Sequence, residues 1–244
     1  SCTGDQAGVA GLDNFKNIFP YTYESRYVSG VVAGMKLKEL MDAGTVTDPK
    51  VGYVGAFPYA EVVCGYTAFL LGIQSVVPEA YMEVQYTNSW YDPVAEGEAA
   101  NILMADGCVI IGQHADSTGA PSAVQEAQDK GTVAYSVGHA NNAVMISALG
   151  ESCAEGTQEA VDAAWAGIDD GSLKVFDTSK FTVGGQTVTE YEVNFSIIDF
   201  ATGYVVFEGP TENVIADGAF QESVYRSAPY FDLRIDGITE LNNN

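Results

Sequence analysis

The chain has 244 residues, enough to bury the core of one or two domains, and 47% of them are hydrophobic, as in ordinary globular proteins. Acidic residues outnumber basic ones by 33 to 10, which gives a formal net charge of −23. Because nucleic-acid binding depends on Lys and Arg that neutralise phosphates, this charge excludes nucleic acid as a partner.

Strands and helices alternate along the chain from residue 51. A helix is predicted first over 23–41, where the small residues Ser29, Gly30, Ala33 and Gly34 suit close packing on a sheet. Strands are then predicted over 51–57, 82–88, 108–113 and 132–138, with helices over 60–77, 93–106 and 117–130 between them, and 143–149 has the composition of a fifth strand. This alternation predicts an α/β fold with a parallel sheet and helices on both faces.

The pattern changes after residue 150. A helix is predicted over 154–170, then a hairpin at Gly184-Gly185, and the chain is rich in loops and short strands from about 196. We therefore expect part of an N-terminal lobe over 1–44, a C-terminal Rossmann-like lobe over 45–150, and a return segment over 151–244 that completes the lobes. A lobe built of βαβ units needs more chain than residues 1–44 supply, so we expect the N-terminal lobe to be incomplete here by roughly 100 residues.

Polar and aromatic residues gather where the predicted strands end. In an open parallel sheet the ligand crevice lies outside the carboxyl ends of the strands. Four segments reach that edge: FPY at 57–59, SWYD at 89–92, QHADS at 113–117 and GHANN at 138–142. Their aromatic faces and hydrogen-bonding groups suit a flat, polar heterocycle. The predicted ligand-binding residues are Phe57, Pro58, Trp90, Gln113, His114, Asp116, Ser117, Gly138, His139 and Asn141.

Several of these residues also have a structural interpretation. Trp90 is as well placed to cover the sheet edge as to bind a ligand, and Asp92 before Pro93 is the pattern of a helix cap. Asp116 and Ser117 fit a helix N-terminus, Asn141 fits a turn, and Phe57 fits a core position. The position of both histidines of the chain at the predicted crevice favours binding.

Patterns that indicate catalysis or a cofactor are absent from the sequence. It contains no G-x-x-x-x-G-K-[ST], no G-x-G-x-x-G and no G-x-S-x-G. Its four cysteines form no C-x-x-C pair and, with two histidines, make no zinc pattern. Cys64 and Cys108 lie in apolar segments and are predicted to be buried thiols. We expect a binding protein with no metal and no cofactor, not an enzyme.

Three stretches of the sequence resemble a known family. They are YESRYVSGVVAGMKL, VGYVGAFPYAEVVCGYTAFLLGIQSVVPEA and TNSWYDPVAEGEAANILMADGCVIIGQHADS, and the ending SAPYFDLRIDGITEL is similar in part. In this order they resemble the basic membrane protein family, the substrate-binding lipoproteins of ABC importers that bind purine nucleosides or related bases. By position, Phe57, Trp90, Gln113, His114, Asp116 and Gly138 match crevice segments of that family.

The resemblance implies a type I periplasmic-binding fold, in which two lobes enclose the ligand, and a membrane permease as partner. It also implies an extracytoplasmic protein, lipid-anchored through a segment absent from this chain. The family often carries an acidic residue after the fourth strand that holds ribose; GHANN stands there instead, which leaves nucleoside and free base both open. Two alternatives remain: a ligand-sensing domain of a receptor or regulator with the same fold, and a nucleoside-processing enzyme such as a hydrolase.

Overall fold

The computed structural model describes residues 6–137, 149–199 and 202–243. The helices are α1 (Gln6–Ala10), α2 (Thr22–Asp42), α3 (Ala60–Gln74), α4 (Pro93–Ala105), α5 (Gly119–Asp129) and α6 (Thr157–Asp169). The strands of the main sheet are β1 (Lys50–Gly55), β2 (Tyr81–Tyr86), β3 (Ile110–His114), β4 (Tyr135–Val137) and β11 (Ile238–Glu240). Six short strands lie between them: β5 (Glu192–Asn194), β6 (Ile197–Ile198), β7 (Val205–Phe207), β8 (Thr211–Asn213), β9 (Ile215–Ala216) and β10 (Ala219–Phe220).

The five strands of the main sheet are all parallel, in the order β11-β2-β1-β3-β4. Strand β1 lies in the middle, and its last residue, Gly55, pairs with Tyr86 on one side and with His114 on the other. The α/β class, the parallel sheet and the four strands predicted between 51 and 138 are confirmed. The possible fifth strand at 143–149 falls almost entirely outside the described residues.

Helices cover both faces of the sheet because β1 is apolar on both sides. Tyr53 packs into the larger core with α2 and α3, whereas Val54 faces a smaller core made by Ala99, Leu103 and Val124 of α4 and α5. Adjacent residues of a strand point to opposite faces, so this separation follows from the pleat of β1. The sheet is therefore buried from both sides, as parallel sheets are.

Helix α2 packs on helix α3 at a close crossing made by glycines. A Cβ on Gly30 would lie 2.1 Å from the Phe69 carbonyl oxygen, and a Cβ on Gly72 would lie 2.0 Å from that of Tyr27. The expectation of close packing is confirmed, but the partner is a helix and not the sheet. Through its contact with α3, α2 belongs to the unit built on the sheet. The expected division of the chain into lobes at residues 44 and 150 stays a proposal.

The segment after α6 forms an aromatic core that is part of the larger core shared with α2 and α3. Phe176 stacks on Phe231 with ring centroids 4.2 Å apart, and Phe220 meets Phe231 edge-on at 4.7 Å. The Glu222 carboxylate is buried beside them and accepts backbone N–H groups from Tyr230 at 3.1 Å and Phe231 at 2.8 Å. Burial raises the pKa of Glu222 to about 7, against the opposing effect of these two hydrogen bonds.

At Gly184-Gly185 the predicted turn is confirmed, but the two flanking strands predicted with it are wrong. Val183 and Gln186 exchange two backbone hydrogen bonds across the two glycines, whose φ angles are +58° and +76°. The Asp236 carboxylate accepts the N–H groups of both glycines. The turn is thus fixed by a side chain 51 residues beyond Gly185 rather than by flanking strands. The expectation of loops and short strands after 196 is confirmed.

Candidate functional site

Three loops leave the carboxyl edge of the sheet side by side because β1, β2 and β3 are parallel and in register. Backbone hydrogen bonds tie these loops together. The Ala56 N–H donates to the His114 carbonyl at 3.0 Å, and the Asp116 N–H donates to the Trp90 carbonyl at 2.7 Å. The Thr87 N–H donates to the Gly55 carbonyl at 2.9 Å. The loops after the three strands therefore form one continuous surface.

Four rings from two of these loops and from the end of β3 form a contact series, here called the aromatic row: Tyr59, Phe57, Trp90 and His114. Tyr59 stacks on Phe57 with centroids 4.9 Å apart and planes at 9°. Phe57 meets Trp90 at 5.6 Å and 57°, and Trp90 meets His114 edge-on at 6.1 Å and 63°. The structure thus brings together three of the predicted residues and adds Tyr59, which is 54% exposed.

Gln113 and Ser117 brace the loop between them. The Gln113 Nε2 donates to the carbonyl oxygens of Ala115 at 2.9 Å and Ser117 at 2.8 Å. The Ser117 Oγ accepts the Gly119 N–H at 3.0 Å, which fixes the turn into α5. Both side chains are buried, so these hydrogen bonds give them a structural function. Their contact with a ligand stays a prediction.

Asp116 and Pro58 lie at the surface of the same loops. Asp116 is exposed. Pro58 is half-buried, and its carbonyl oxygen accepts a hydrogen bond from the Nη2 of Arg234 at 3.4 Å.

The interpretation of Asp92 as a helix cap is confirmed, since its carboxylate accepts the N–H groups of Val94 at 3.1 Å and Ala95 at 3.0 Å. The remaining predicted residues, Gly138, His139 and Asn141, lie outside the described residues.

A buried arginine behind the aromatic row was missed from the sequence. Arg26 of α2 is 4% exposed, and its Nη1 donates to the Gln113 carbonyl at 2.7 Å. Burial lowers the pKa of Arg26 from its usual value, and the negative charges of Glu61 and Asp116 are among the groups that act in the opposite direction. The sequence carried a signal for it: Arg26, Gly30, Ala33 and Leu37 recur at helical spacing, and this stripe is buried.

His114 lies between this arginine and a carboxylate. Its Nε2 is 3.8 Å from the Glu61 Oε1, while its Nδ1 is buried and has no hydrogen-bond partner in the described part of the chain. Burial lowers the pKa of His114 well below its ordinary value, and the positive charge of Arg26 lowers it further. Burial also raises the pKa of Glu61, which Arg26 opposes. His114 is therefore a neutral imidazole at physiological pH.

Glu240 of strand β11 connects this strand to residues around the candidate site. The Glu240 Oε1 accepts hydrogen bonds from the Tyr66 hydroxyl at 2.7 Å, the Tyr86 hydroxyl at 2.6 Å and the Arg234 Nε at 3.1 Å. These hydrogen bonds hold the pKa of Glu240 below its usual value, although its partial burial acts in the opposite direction. The same Arg234 reaches Pro58, so this carboxylate links β11 to the loop that carries Phe57.

Within 6–137, 149–199 and 202–243, no group of His, Cys, Asp and Glu side chains has the arrangement of a metal site. Cys64 and Cys108 are buried thiols, as predicted. Among the helices of these ranges, none combines the length and apolar character that crossing a bilayer requires.

Comparison with known families gives a match over residues 6–158, to the Bmp family of PnrA-like ABC transporter substrate-binding proteins. The chain belongs to this family. The resemblance inferred from the sequence is thereby confirmed. Because Bmp proteins are substrate-binding components, membership also supports the prediction of a binding protein rather than an enzyme.

Two curated relatives carry different ligand names. A purine-binding protein of Brucella abortus is 40% identical over 128 residues, which are 52% of this chain and 33% of that protein. A putative ABC transporter glucose-binding protein of Haloferax volcanii is 39% identical over 124 residues, which are 51% of this chain and 29% of that protein. The chain spans about a third of the length of these relatives.

Two solved ABC transporter solute-binding proteins are also similar to this Bmp chain. The structure from Aeropyrum pernix K1 has a TM-score of 0.47 and 22% identity, covering 51% of this chain and 35% of that one. The structure from Conexibacter woesei DSM 14684 has a TM-score of 0.45 and 22% identity, covering 71% of this chain and 69% of that one.

Proposed function

We propose that this chain forms one side of the ligand-binding cleft of an extracytoplasmic solute-binding protein of an ABC importer. In this proposal the aromatic row binds a purine nucleoside or nucleobase. The observation that carries the proposal is the contact series from Tyr59 to His114 at the carboxyl edge of a parallel sheet. That edge is where open α/β sheets bind ligands. Aromatic faces beside hydrogen-bonding groups suit a flat ring with a polar rim.

The proposal includes the second lobe that membership of this family implies. A ligand closes a two-lobed protein only by making contacts in the closed state that the open state lacks. The aromatic row would supply the contacts of one lobe. Gly138, His139 and Asn141, which follow β4 in the sequence, stay in the proposed ligand set. A membrane permease as docking partner and a lipid anchor outside this chain complete the proposal.

The relatives support two ligand classes. The purine-binding name of the Brucella abortus relative favours a purine, and the glucose-binding name of the Haloferax volcanii relative makes a sugar the second candidate. A pyranose also lies against an aromatic face, so stacking alone does not separate the two classes. Within the described part of the chain, the aromatic row is made mainly of ring faces, and this favours the purine, because a sugar presents hydroxyl groups around its whole rim and each needs a partner when buried.

Isothermal titration of the full-length protein tests the ligand class. Adenosine, guanosine, inosine, adenine, hypoxanthine and D-glucose are titrated separately. We expect heat from at least one purine and none from glucose. Saturable heat from glucose with none from the purines would replace the purine with a sugar. Release of ribose from inosine by the protein would favour the nucleoside-processing enzyme instead.

A further inference from the structure

We propose that Arg26 is a positioning residue that holds His114 in one tautomer, with its proton on Nε2. This leaves a neutral N–H donor on the imidazole ring that meets Trp90. The tautomer is a property of the protein without ligand. Its use in binding rests on the proposed function: the Nε2–H would donate to a ring nitrogen or a carbonyl oxygen of the ligand, and a ring N–H could not accept it.

The first step is the position of the His114 Nδ1 and the Arg26 Nε, which lie beside the same point of α3. A Cβ placed on Gly65 of α3 would lie 2.8 Å from the His114 Nδ1 and 3.7 Å from the Arg26 Nε. Both nitrogens therefore converge on one point of the helix surface, where Gly65 leaves room for them. The Arg26 Nε, like the His114 Nδ1, is buried and has no hydrogen-bond partner among the residues described.

The second step is the chemistry of those atoms. An arginine Nε always carries a hydrogen and never accepts one. A neutral imidazole has one N–H and one bare nitrogen, and its surroundings decide which nitrogen is which. The nearby positive charge of the guanidinium favours a bare Nδ1 with its lone pair, whereas a protonated Nδ1 would place an N–H dipole beside that cation. Arg26 therefore favours the tautomer with the proton on Nε2.

The third step is the charge on the opposite side of the ring. The His114 Nε2 is 3.8 Å from the Glu61 Oε1. A carboxylate there favours an N–H on Nε2, so the cation on one side and the anion on the other stabilise the same tautomer. Other titratable groups around Arg26 are Tyr53 on β1, Cys64 on α3 and Asp116 after β3. Burial raises the pKa of both Tyr53 and Cys64, so both stay neutral.

The fourth step connects the pair to the aromatic row. Arg26 donates to the carbonyl of Gln113, the residue before His114, and so fixes the backbone from which the imidazole projects. The imidazole meets Trp90 edge-on. Among the residues that the structure describes, the buried Arg26 reaches the candidate site through His114 and the end of β3, which makes it a positioning residue and not a ligand contact.

Nitrogen NMR of the imidazole tests the proposal without any ligand, so failure of the purine assignment does not affect it. These 244 residues contain two histidines, and within them His139→Gln leaves His114 as the one imidazole to assign. In this background we expect the Nε2–H tautomer and no protonation through the ordinary histidine range around pH 6.5. Arg26→Met should raise the titration midpoint of His114 by about one pH unit or more and populate the Nδ1–H tautomer.

Two further variants separate charge from packing. Lys38→Met removes an exposed cation from the same helix and should leave the spectrum of His114 unchanged. Arg26→Lys keeps a cation and should keep the low midpoint. A proton on Nδ1 in the parent protein overturns the proposal, and so does a folded Arg26→Met variant with an unchanged spectrum. If Arg26→Met does not fold, the tautomer of the parent protein decides the question.

Discussion

The crossing of α2 and α3 makes a quantitative prediction, because Gly30 and Gly72 meet backbone and not flexible side chains. Gly30→Ala would place a Cβ 2.1 Å from the Phe69 carbonyl oxygen, whereas real Cβ contacts stay beyond 3.0 Å. That oxygen belongs to the middle of α3, so relief requires the two helices to separate by about 1 Å.

Two opposing contributions decide whether Gly30→Ala raises or lowers the free energy of unfolding. Replacing Gly by Ala inside a helix stabilises it by about 1 kcal/mol. Overpacking a close-packed interface costs about 1–3 kcal/mol, and the upper part of this range applies where the obstacle is backbone. We therefore expect Gly30→Ala to lower the free energy of unfolding by about 1–2 kcal/mol.

Gly97→Ala is the matched control. Gly97 lies inside α4, and the nearest atom to its added Cβ would be the Gly119 carbonyl oxygen at 3.5 Å, an ordinary van der Waals contact. Without a clash, helix propensity decides, and this variant should be more stable than the parent protein by up to about 1 kcal/mol. The same chemical change is thus expected to have opposite signs at the two positions.

Urea unfolding of the full-length protein, followed by circular dichroism at the helix band, measures both variants. With a slope of about 2–3 kcal/mol/M, the two midpoints should differ by about 1 M. Gly30→Ala should also weaken ligand binding, because α3 carries Glu61 and Gly65 against His114. Equal midpoints for the two variants, or a lower midpoint for Gly97→Ala, would refute the packing argument.

Three further predictions concern the candidate site and the aromatic core. Trp90→Ala should weaken binding of a purine by about 1–3 kcal/mol, five- to 150-fold in Kd by titration calorimetry, whereas Tyr91→Ala, which changes an exposed neighbour, should not. Asp92→Ala should lower the free energy of unfolding by about 1 kcal/mol in urea without changing Kd, since its carboxylate caps α4. The folded pKa of Glu222 is about 7, above its ordinary 4.5, so its contribution to stability is greatest below pH 4.5 and falls by about 3 kcal/mol as the pH rises to 7. Glu222→Gln should remove this fall when urea midpoints are measured at a series of pH values. If the midpoints of the two proteins change in parallel with pH, Glu222 is not the cause of the fall.

The sequence predicts the fold well where local and global signals agree. Strand β1 lies in the short apolar run 51–57 that precedes Pro58, and α3 is an apolar periodic segment that ends before Pro78. Once such units alternate, the parallel sheet follows, and with it the edge at which the site residues meet. The nearness of Phe57, Trp90 and His114 was predictable for this reason, although the residues lie far apart in the sequence.

The sequence does not predict the contacts made by charged side chains. Glu240 binds Tyr66 across 174 residues, and Asp236 holds the turn at Gly184 and Gly185 in place of paired strands. Neither partner is implied by any local pattern. Arg26 is an intermediate case, because its helical spacing indicates a buried position while a charged residue is rarely assigned one.

The bracing function of Gln113 and Ser117 has a consequence for specificity. If their hydrogen bonds are used within the loop, the described side of the crevice offers a ligand mainly ring faces, the Nε2 of His114 and the Asp116 carboxylate. Stacking supplies affinity that differs little between bases, because every base has an aromatic face. Discrimination between purines, and between a nucleoside and a free base, then has to come from groups beyond this surface. The sequence GHANN at 138–142, with its histidine and two asparagines, is the part of this chain to mutate first if ligand choice is to be changed without loss of overall affinity.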